Sequence, residues 1–481
     1  MLPPGPQPPW DLDRVGLGTS TLDVRVVSSI SKVSREEWDA VVSDAEVNPF
    51  LLHDFLLALE DSGSAAPRAG WLAQHVLVYQ VGPGEEAGAS ADGTAAAAAG
   101  PSGAPAGRLV GCVPMYLKSH SYGEYVFDSS WANYAEMLGI RYYPKLQAAV
   151  PFTPVTGPRL MVSGQLGAAD RTAVVKAMGQ ALIRLADSTN VSGLHVTFST
   201  AQEWAVLAEL GFKQRLGIQF HFDNDGYSSF DAFLADLKQS RRKSIRQERK
   251  SVAKAGLLVH RLSGTSLTPD HWDRFYSFYL NTCDKKWGNA YLTRDFFQQL
   301  GQRLPERVLL VGATEGVHEG AGPVPVPKAR ELVAGALNLV GSHALYGRNW
   351  GCAEGSDVKN LHFELCYYQA QEEAISRGLP RVEAGAQGEH KLQRGYLPSF
   401  TYSCHYIRDP RLGYAVDKFL DRERRQIEYT LQVMSLESSP FKKEKTVESL
   451  MSKLRAYSIL SSGGSSGSSW EVEEEVQEDG E

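Results

Sequence analysis

Nowhere in the 481 residues is there a run approaching the roughly 18 consecutive apolar side chains that a membrane-spanning helix needs. The start, MLPPGPQPPWDLDRVG, lacks the basic-then-apolar order of a secretory signal, and Asp11, Asp13 and Asp23 argue against an Arg-rich, acid-poor transit peptide. The expectation is a cytoplasmic chain without a membrane span, with an organelle such as a plastid left open. Cysteine is scarce: Cys112, Cys283, Cys352, Cys366 and Cys404 are scattered and never spaced C-x-x-C. That pattern signals neither a disulfide framework nor a zinc site, so no metal is expected. An excess of charge on the folded part is also missing. The formal net charge is −7, but the stretch Glu471 to Glu481 alone carries seven acids and no base, so the rest is formally neutral. Attraction for a phosphate-bearing partner then has to come from a local patch.

What is present is an ordinary globular composition, 43% hydrophobic and 22% charged, in a chain too long for one core. Residues 1–20 are Pro-rich and residues 461–481 are rich in Ser, Gly and Glu, too poor in apolar groups to offset ordering entropy, and both are expected to be tails. Two internal stretches, 82–107 and 314–330, read as loop insertions. Each separates two β-like runs at corresponding places of a duplicated unit. WLAQHVLVYQ and RLVGCVPMYLKSHSYGEYVFDSSW flank the first insertion; RVLLVGA and ELVAGALNLVGSHALYGRNW flank the second. Ser119, His120 and Trp131 of one copy match Ser342, His343 and Trp350 of the other. A helix-period stretch follows in each copy, Ala169 to Asp187 and Asn360 to Arg377, then a short strand (LHVTFS or RVEAGA), a short helix, a Gly-aromatic corner and a closing strand.

Strands, a long helix, a strand, a short helix and a Gly-Phe-like corner before the last strand resemble the acetyltransferase (GNAT) fold. Two such units in tandem resemble the FemAB-like transferases, with DKKWGNAYLTRDFF, LYGRNWGC, LHFELCYYQ and GAQGEHKLQRGY as the signature blocks. The resemblance covers about residues 45–410. It implies an α+β chain of two GNAT-like lobes (acyl-CoA N-acyltransferase fold) with mixed central sheets, residues 21–222 and 223–410, followed by a helical segment at 411–460. It further implies an N-acyltransferase that moves an acyl or aminoacyl group from an activated donor to an amine. Acyl-CoA or aminoacyl-tRNA would be the donor, tRNA a possible partner, and no cofactor would be tightly bound. The Gln/Arg-x-x-Gly-x-Gly/Ala loop that binds coenzyme A in typical acetyltransferases is absent. A lobe pair that only binds an anionic ligand or RNA is the alternative.

Acyl transfer needs a base, a donor to the oxyanion and a cradle for the activated group. Gly351 and Gly355, ahead of the long helix of the second copy, would let a ligand approach the backbone. The densest polar cluster is Glu383, Gln387, Glu389, His390 and Lys391 on the strand end and turn beyond that helix. There His390 is the candidate base and Glu389 its partner, while Glu383, Gln387 and Lys391 would hold substrate. His362 and Glu364 open the long helix about 200° apart, so they cannot face one pocket; Glu364 is ranked as catalytic and His362 as a substrate contact. Lys285, Lys286 and Trp287 form a clamp for an anion. Tyr346, Arg348 and Trp350 alternate at period two, which places them on one strand face, with Arg348 and Trp350 in the substrate site. Lys238 to Lys254 carries eight bases and one acid on a helical pattern. Arg241, Arg242, Arg246 and Arg249 are its candidate phosphate ligands.

Overall fold

The computed structural model describes residues 12–17, 20–42, 46–82, 107–286, 288–316, 325–356, 358–385 and 388–461. The first copy opens with β1 (Leu12–Leu17), β2 (Ser20–Val27), α1 (Arg35–Val42) and α2 (His53–Asp61). It continues through β3 (Trp71–Ala73), β4 (His75–Val81), β5 (Arg108–Val113), β6 (Met115–Lys118), α3 (Ser129–Met137), β7 (Lys145–Ala148) and β8 (Met161–Val162). It closes with α4 (Ala168–Ser188), β9 (Gly193–Ser199), α5 (Ala201–Glu209) and β10 (Lys213–Asp223). The second copy begins with α6 (Phe230–Asp236), α7 (Gln239–Lys254), β11 (Leu257–Leu262), α8 (Pro269–Lys286) and α9 (Arg294–Arg303). Then come β12 (Val308–Glu315), β13 (Leu332–Val340) and β14 (Ala344–Cys352). Helix α10 (Leu361–Phe363) passes through a π-helical turn (Glu364–Tyr368) into α11 (Gln369–Arg377), followed by β15 (Arg381–Glu383) and β16 (Leu397–Ile407). Helices α12 (Pro410–Glu437) and α13 (Lys443–Ser461) complete the described chain.

The same logic builds both copies. A parallel pair is joined across a helix, β7 to β9 through α4 and β14 to β15 through α10 and α11. Helix α4 forms because apolar residues recur three and four apart and bury Val174, Met178, Leu182 and Leu185. Helix α5 starts at a capping box in which Thr200 and Glu203 satisfy each other's backbone N–H groups. All seven residues of β9 are buried, as befits a strand covered on both faces. The architecture is α+β, two tandem GNAT-like lobes, as the sequence order implies.

The closing strands depart from twin separate sheets. Among the described residues one 11-stranded sheet runs β11-β12-β13-β14-β15-β10-β16-β9-β7-β6-β3, beside a five-stranded sheet β1-β2-β4-β5-β8. Strand β10 ends the first copy, yet both its neighbours, β15 and β16, belong to the second. Strand β16 ends the second copy and pairs with β9 of the first. Apart from β11, which has no counterpart in this sheet, the order is symmetric about the β10–β16 pair, whose register centres on Gly217 opposite Thr401. Each copy thus completes its partner's sheet. Helices α2 and α9, one from each copy, also share a core, with Phe55 against Phe296 at 5.7 Å, and beside them Phe50 packs against Tyr346 of β14 at 5.3 Å.

Two sequence equivalences need correction. Ser119 and His120 follow β6, but Trp131 lies on α3, within the long connection from β6 to β7. In the second copy the matching connection is the short turn between β13 and β14. A buried ionic cluster pins the long connection: Lys145 Nζ lies 2.5 Å from Asp128 and 3.4 Å from Glu124, and Lys118 Nζ lies 3.6 Å from Glu124. The first copy uses these titratable groups to hold the connection in place. Gly351 serves packing rather than a ligand, because a Cβ there would run into the Phe278 carbonyl of α8.

Candidate active site

The chain opens a cleft of about 620 Å³ between the copies. The first copy contributes the end of α1, Asn48, Thr156, Gly157 and the first residues of α5; the second contributes Tyr346, Arg381, Glu383 and Ser399. Lys453 of α13 closes one wall. Opposite each other on the central strands stand His221 of β10 and Glu383 of β15. Both are buried, at 3% and 6% exposure, and among the described residues His221 Nδ1 and Glu383 Oε2 have no hydrogen-bond partner. Buried polar atoms are normally paired, so two orphans on one cavity wall mark a place where a ligand supplies the partner.

Glu383 is the group with useful chemistry. Burial penalises its charged form and outweighs the nearby Arg381 and Arg159 guanidiniums and the Thr156 backbone N–H, so its carboxyl is pushed up to about 7. Burial pushes the His221 imidazole well down, which keeps it neutral. Arg159 stands behind the cleft wall. Its terminal nitrogens donate to the carbonyls of Val155, Gly157 and Pro158, at 2.6, 2.9 and 3.2 Å, and so fix the loop whose Thr156 N–H meets Glu383. Glu203 holds the same loop by accepting from the N–H groups of Arg159 and Leu160. Tyr346 adds a hydroxyl held protonated by burial.

The second-copy cluster forms a separate aromatic group. His390 Nε2 is 2.9 Å from the Tyr367 hydroxyl, and the His390 ring lies 6.1 Å from that of His362. His362 in turn packs on Trp350 at 5.2 Å. Glu389 is exposed, whereas Lys391 is buried, donates to the Gly385 carbonyl at 2.9 Å and is pushed down to about 8 by burial. Of the predicted polar cluster, then, Glu383 faces the cleft between the copies, while His390, His362 and Trp350 gather together. Gln387 and Trp287 lie outside the described residues, as does the side chain of Lys286; Lys285 is exposed at the end of α8.

Three expectations change. Glu364 is no free catalytic group: its carboxylate receives Arg249 Nε at 3.1 Å and Nη2 at 3.0 Å, and Gln369 at 2.7 Å. It anchors α7 to the π-helical turn, on the side away from His362. Tyr346, Arg348 and Trp350 do not share a face. Ala336 pairs with Trp350 but Asn338 with Gly347, so β14 carries one extra residue, a bulge that turns Trp350 to the α10 side. Arg348 instead reaches across the copies to the Phe152 carbonyl. On α7, Arg249 faces inward to Glu364 and Glu372, while Arg242, Lys243, Arg246 and Lys250 line an open groove of about 530 Å³ beside α6. Arg246 meets Asp231 there at 3.0 Å, and Arg241 is half-buried and does not line the groove. The signal for Arg249 was available: it lies one turn beyond buried Ile245, on the helix's apolar side. His221, Arg159, Arg381 and Lys453 were missed because only the exchanged strands and α13 bring them to Glu383.

Comparison with known proteins agrees with this architecture. A FemAB-like family profile, described as peptidoglycan biosynthesis/recognition, matches residues 29–443. The chain belongs to that FemAB-like family. No curated protein matches the chain. Among solved structures, FemX is similar at 11% identity, over 80% of this chain and 98% of its own, with a TM-score of 0.46. A tandem GNAT protein from the clavulanic acid biosynthesis pathway is similar at 13% identity, over 80% of this chain and 98% of its own, with a TM-score of 0.38. L-PGS from Bacillus licheniformis is similar at 10% identity, over 57% of this chain and 82% of its own, with a TM-score of 0.37. Among the described residues no helix is long and apolar enough to cross a membrane, and no group of His, Cys, Asp and Glu is placed to hold a metal ion.

Proposed function

We propose that the chain is an N-acyltransferase that joins an acyl or aminoacyl group to an amine in the cleft between its two copies, with Glu383 as the base. The observation that carries this is the buried carboxylate of Glu383 on the cleft wall, poised near neutrality, whose Oε2 has no hydrogen-bond partner among the described residues. A general base works best when its proton affinity lies near the working pH. An incoming ammonium gives its proton to Glu383, and the freed amine attacks the carbonyl carbon of the activated donor. The C–N bond forms, the bond to the departing hydroxyl or thiol breaks, and that leaving group takes up a proton. Tyr346, protonated and on the same wall, is a donor for the oxyanion that develops.

Both candidate donors, acyl-CoA and aminoacyl-tRNA, carry phosphates. The groove lined by Arg242, Lys243, Arg246 and Lys250 supports a phosphate-bearing donor, since these cations face outward while Arg249 is consumed by an internal ion pair. The test is mass-spectrometric detection of amide formation with each donor and a panel of amines. Wild type and His390→Ala are expected to form product at similar rates, and Glu383→Gln to form it at least about 100-fold more slowly. Product from Glu383→Gln at the wild-type rate, or its loss in His390→Ala alone, would move the chemistry to the second-copy cluster.

A further inference from the structure

The central strand pair also carries a pattern of charge. On the antiparallel ladder His221 stands opposite Glu383, and Asp223 stands opposite Arg381. Side chains two residues apart share a face, so all four lie on one side of the sheet. There Asp223 meets two cations, Arg381 Nε at 3.2 Å and Lys453 Nζ at 3.6 Å. One carboxylate thus faces two positive groups, and among the described residues the terminal nitrogens of Arg381 have no hydrogen-bond partner. Arg171, in the first turn of α4, adds a third cation to the cleft lining, exposed and without an ion pair among the described residues. The buried carboxylate of Glu383 and the Nδ1 of His221, unpartnered among the described residues, stand two residues away along the strands, while Glu46, the other carboxylate of the lining, is exposed and lies 3.5 Å from His343. The cleft is therefore polarised, carboxylate on its floor and cations on its wall.

Resting on the function proposed above, we infer that the acceptor carries an anionic group, carboxylate or phosphate, roughly 7 Å from its reacting amine, the span of two residues along a strand. The amine seats at Glu383 and the anion at Arg381, Lys453 and Arg171. A free α-amino acid, whose amine and carboxylate flank a single carbon, is too short to reach both. A diamine of the right length leaves the cation wall unanswered. The acceptor class is an ω-amino acid or ω-amino phosphate, or a larger molecule presenting that pair of groups.

Isothermal titration of the full chain with simple probes tests this without a donor. The probes are 6-aminohexanoate, 5-aminopentylphosphonate, cadaverine, hexanoate and glycine. One of the first two is expected to bind at least about tenfold more tightly than the last three, as two charge-assisted contacts exceed one. The tighter of the pair identifies the anion. Arg381→Gln should weaken that probe about tenfold and leave cadaverine unchanged. Asp223→Asn, which releases both cations, should strengthen it; this gain does not depend on a damaged fold. Cadaverine binding as tightly as 6-aminohexanoate, but lost in Glu383→Gln, overturns the anion subsite and leaves the base in place. Amine binding indifferent to Glu383→Gln overturns the function reading itself.

Discussion

Replacing Glu383 with Gln should make the protein more stable at alkaline pH while removing most of its activity. In the unfolded chain this carboxyl ionises near 4.5, and in the fold near 7, because burial disfavours the charge. A proton held more tightly by the folded state favours folding. That contribution is complete below 4.5, declines as pH rises, and is gone above about 7. The displacement corresponds to about 3 kcal/mol. Gln keeps the shape and an acceptor for the Thr156 N–H but never acquires the charge. The stability difference between variant and wild type should therefore swing by about 2 to 3 kcal/mol in the variant's favour between pH 5 and pH 8. Every other titrating group is common to both proteins, so the difference isolates position 383. Urea denaturation at the two pH values, followed by far-UV circular dichroism, reads it directly. A difference that stays constant with pH would refute the claim that Glu383 is buried with a raised proton affinity.

Other consequences follow from the same contacts. Glu364→Gln should cost roughly 2 to 3 kcal/mol, less than for a fully buried pair because Arg249 is partly exposed, and denaturation should show it without a selective loss of acceptor binding. Changing Arg242, Lys243, Arg246 and Lys250 together to Ser should weaken binding of a phosphate-bearing donor and flatten its dependence on salt, whereas Arg249→Ser should act mainly on stability. Gly351→Ala should destabilise by about 1 to 3 kcal/mol, because the added carbon meets the backbone of α8 rather than a side chain that can move. A Gly351→Ala protein as stable as wild type in thermal denaturation would contradict that close approach.

The duplication, the places of the insertions and the strand–helix–strand order were legible in the sequence, because periodicity and turn chemistry are local. Strands β4 and β5 flank one insertion, and β12 and β13 the other. Helix α4 spans Ala168–Ser188, against an expected Ala169 to Asp187. What local pattern does not carry is pairing between distant strands. Nothing in RVEAGA or QFHFD announces that Glu383 and His221 stand opposite each other, since that register exists only once the closing strands change places. The bulge in β14 was equally hidden, and a single extra residue moved Trp350 to the other face. Glu364 misled for a different reason. A lone acid at a helix start looks reactive until a partner more than a hundred residues earlier, Arg249, is seen to satisfy it. The dense polar stretch includes Glu383, the proposed base, whereas the sequence reading gave that role to His390, whose Nε2 lies 2.9 Å from the Tyr367 hydroxyl.

The most direct measurement is the pH dependence of kcat/KM for an amine acceptor in wild type and in Glu383→Gln. The wild-type profile should rise with a midpoint near 7, where Glu383 loses its proton, and level off before the amine itself titrates. In Glu383→Gln that limb should vanish and the plateau should fall by about 100-fold or more. A variant that keeps both the limb and the rate would place the base elsewhere and contradict the assignment of the cleft between the copies.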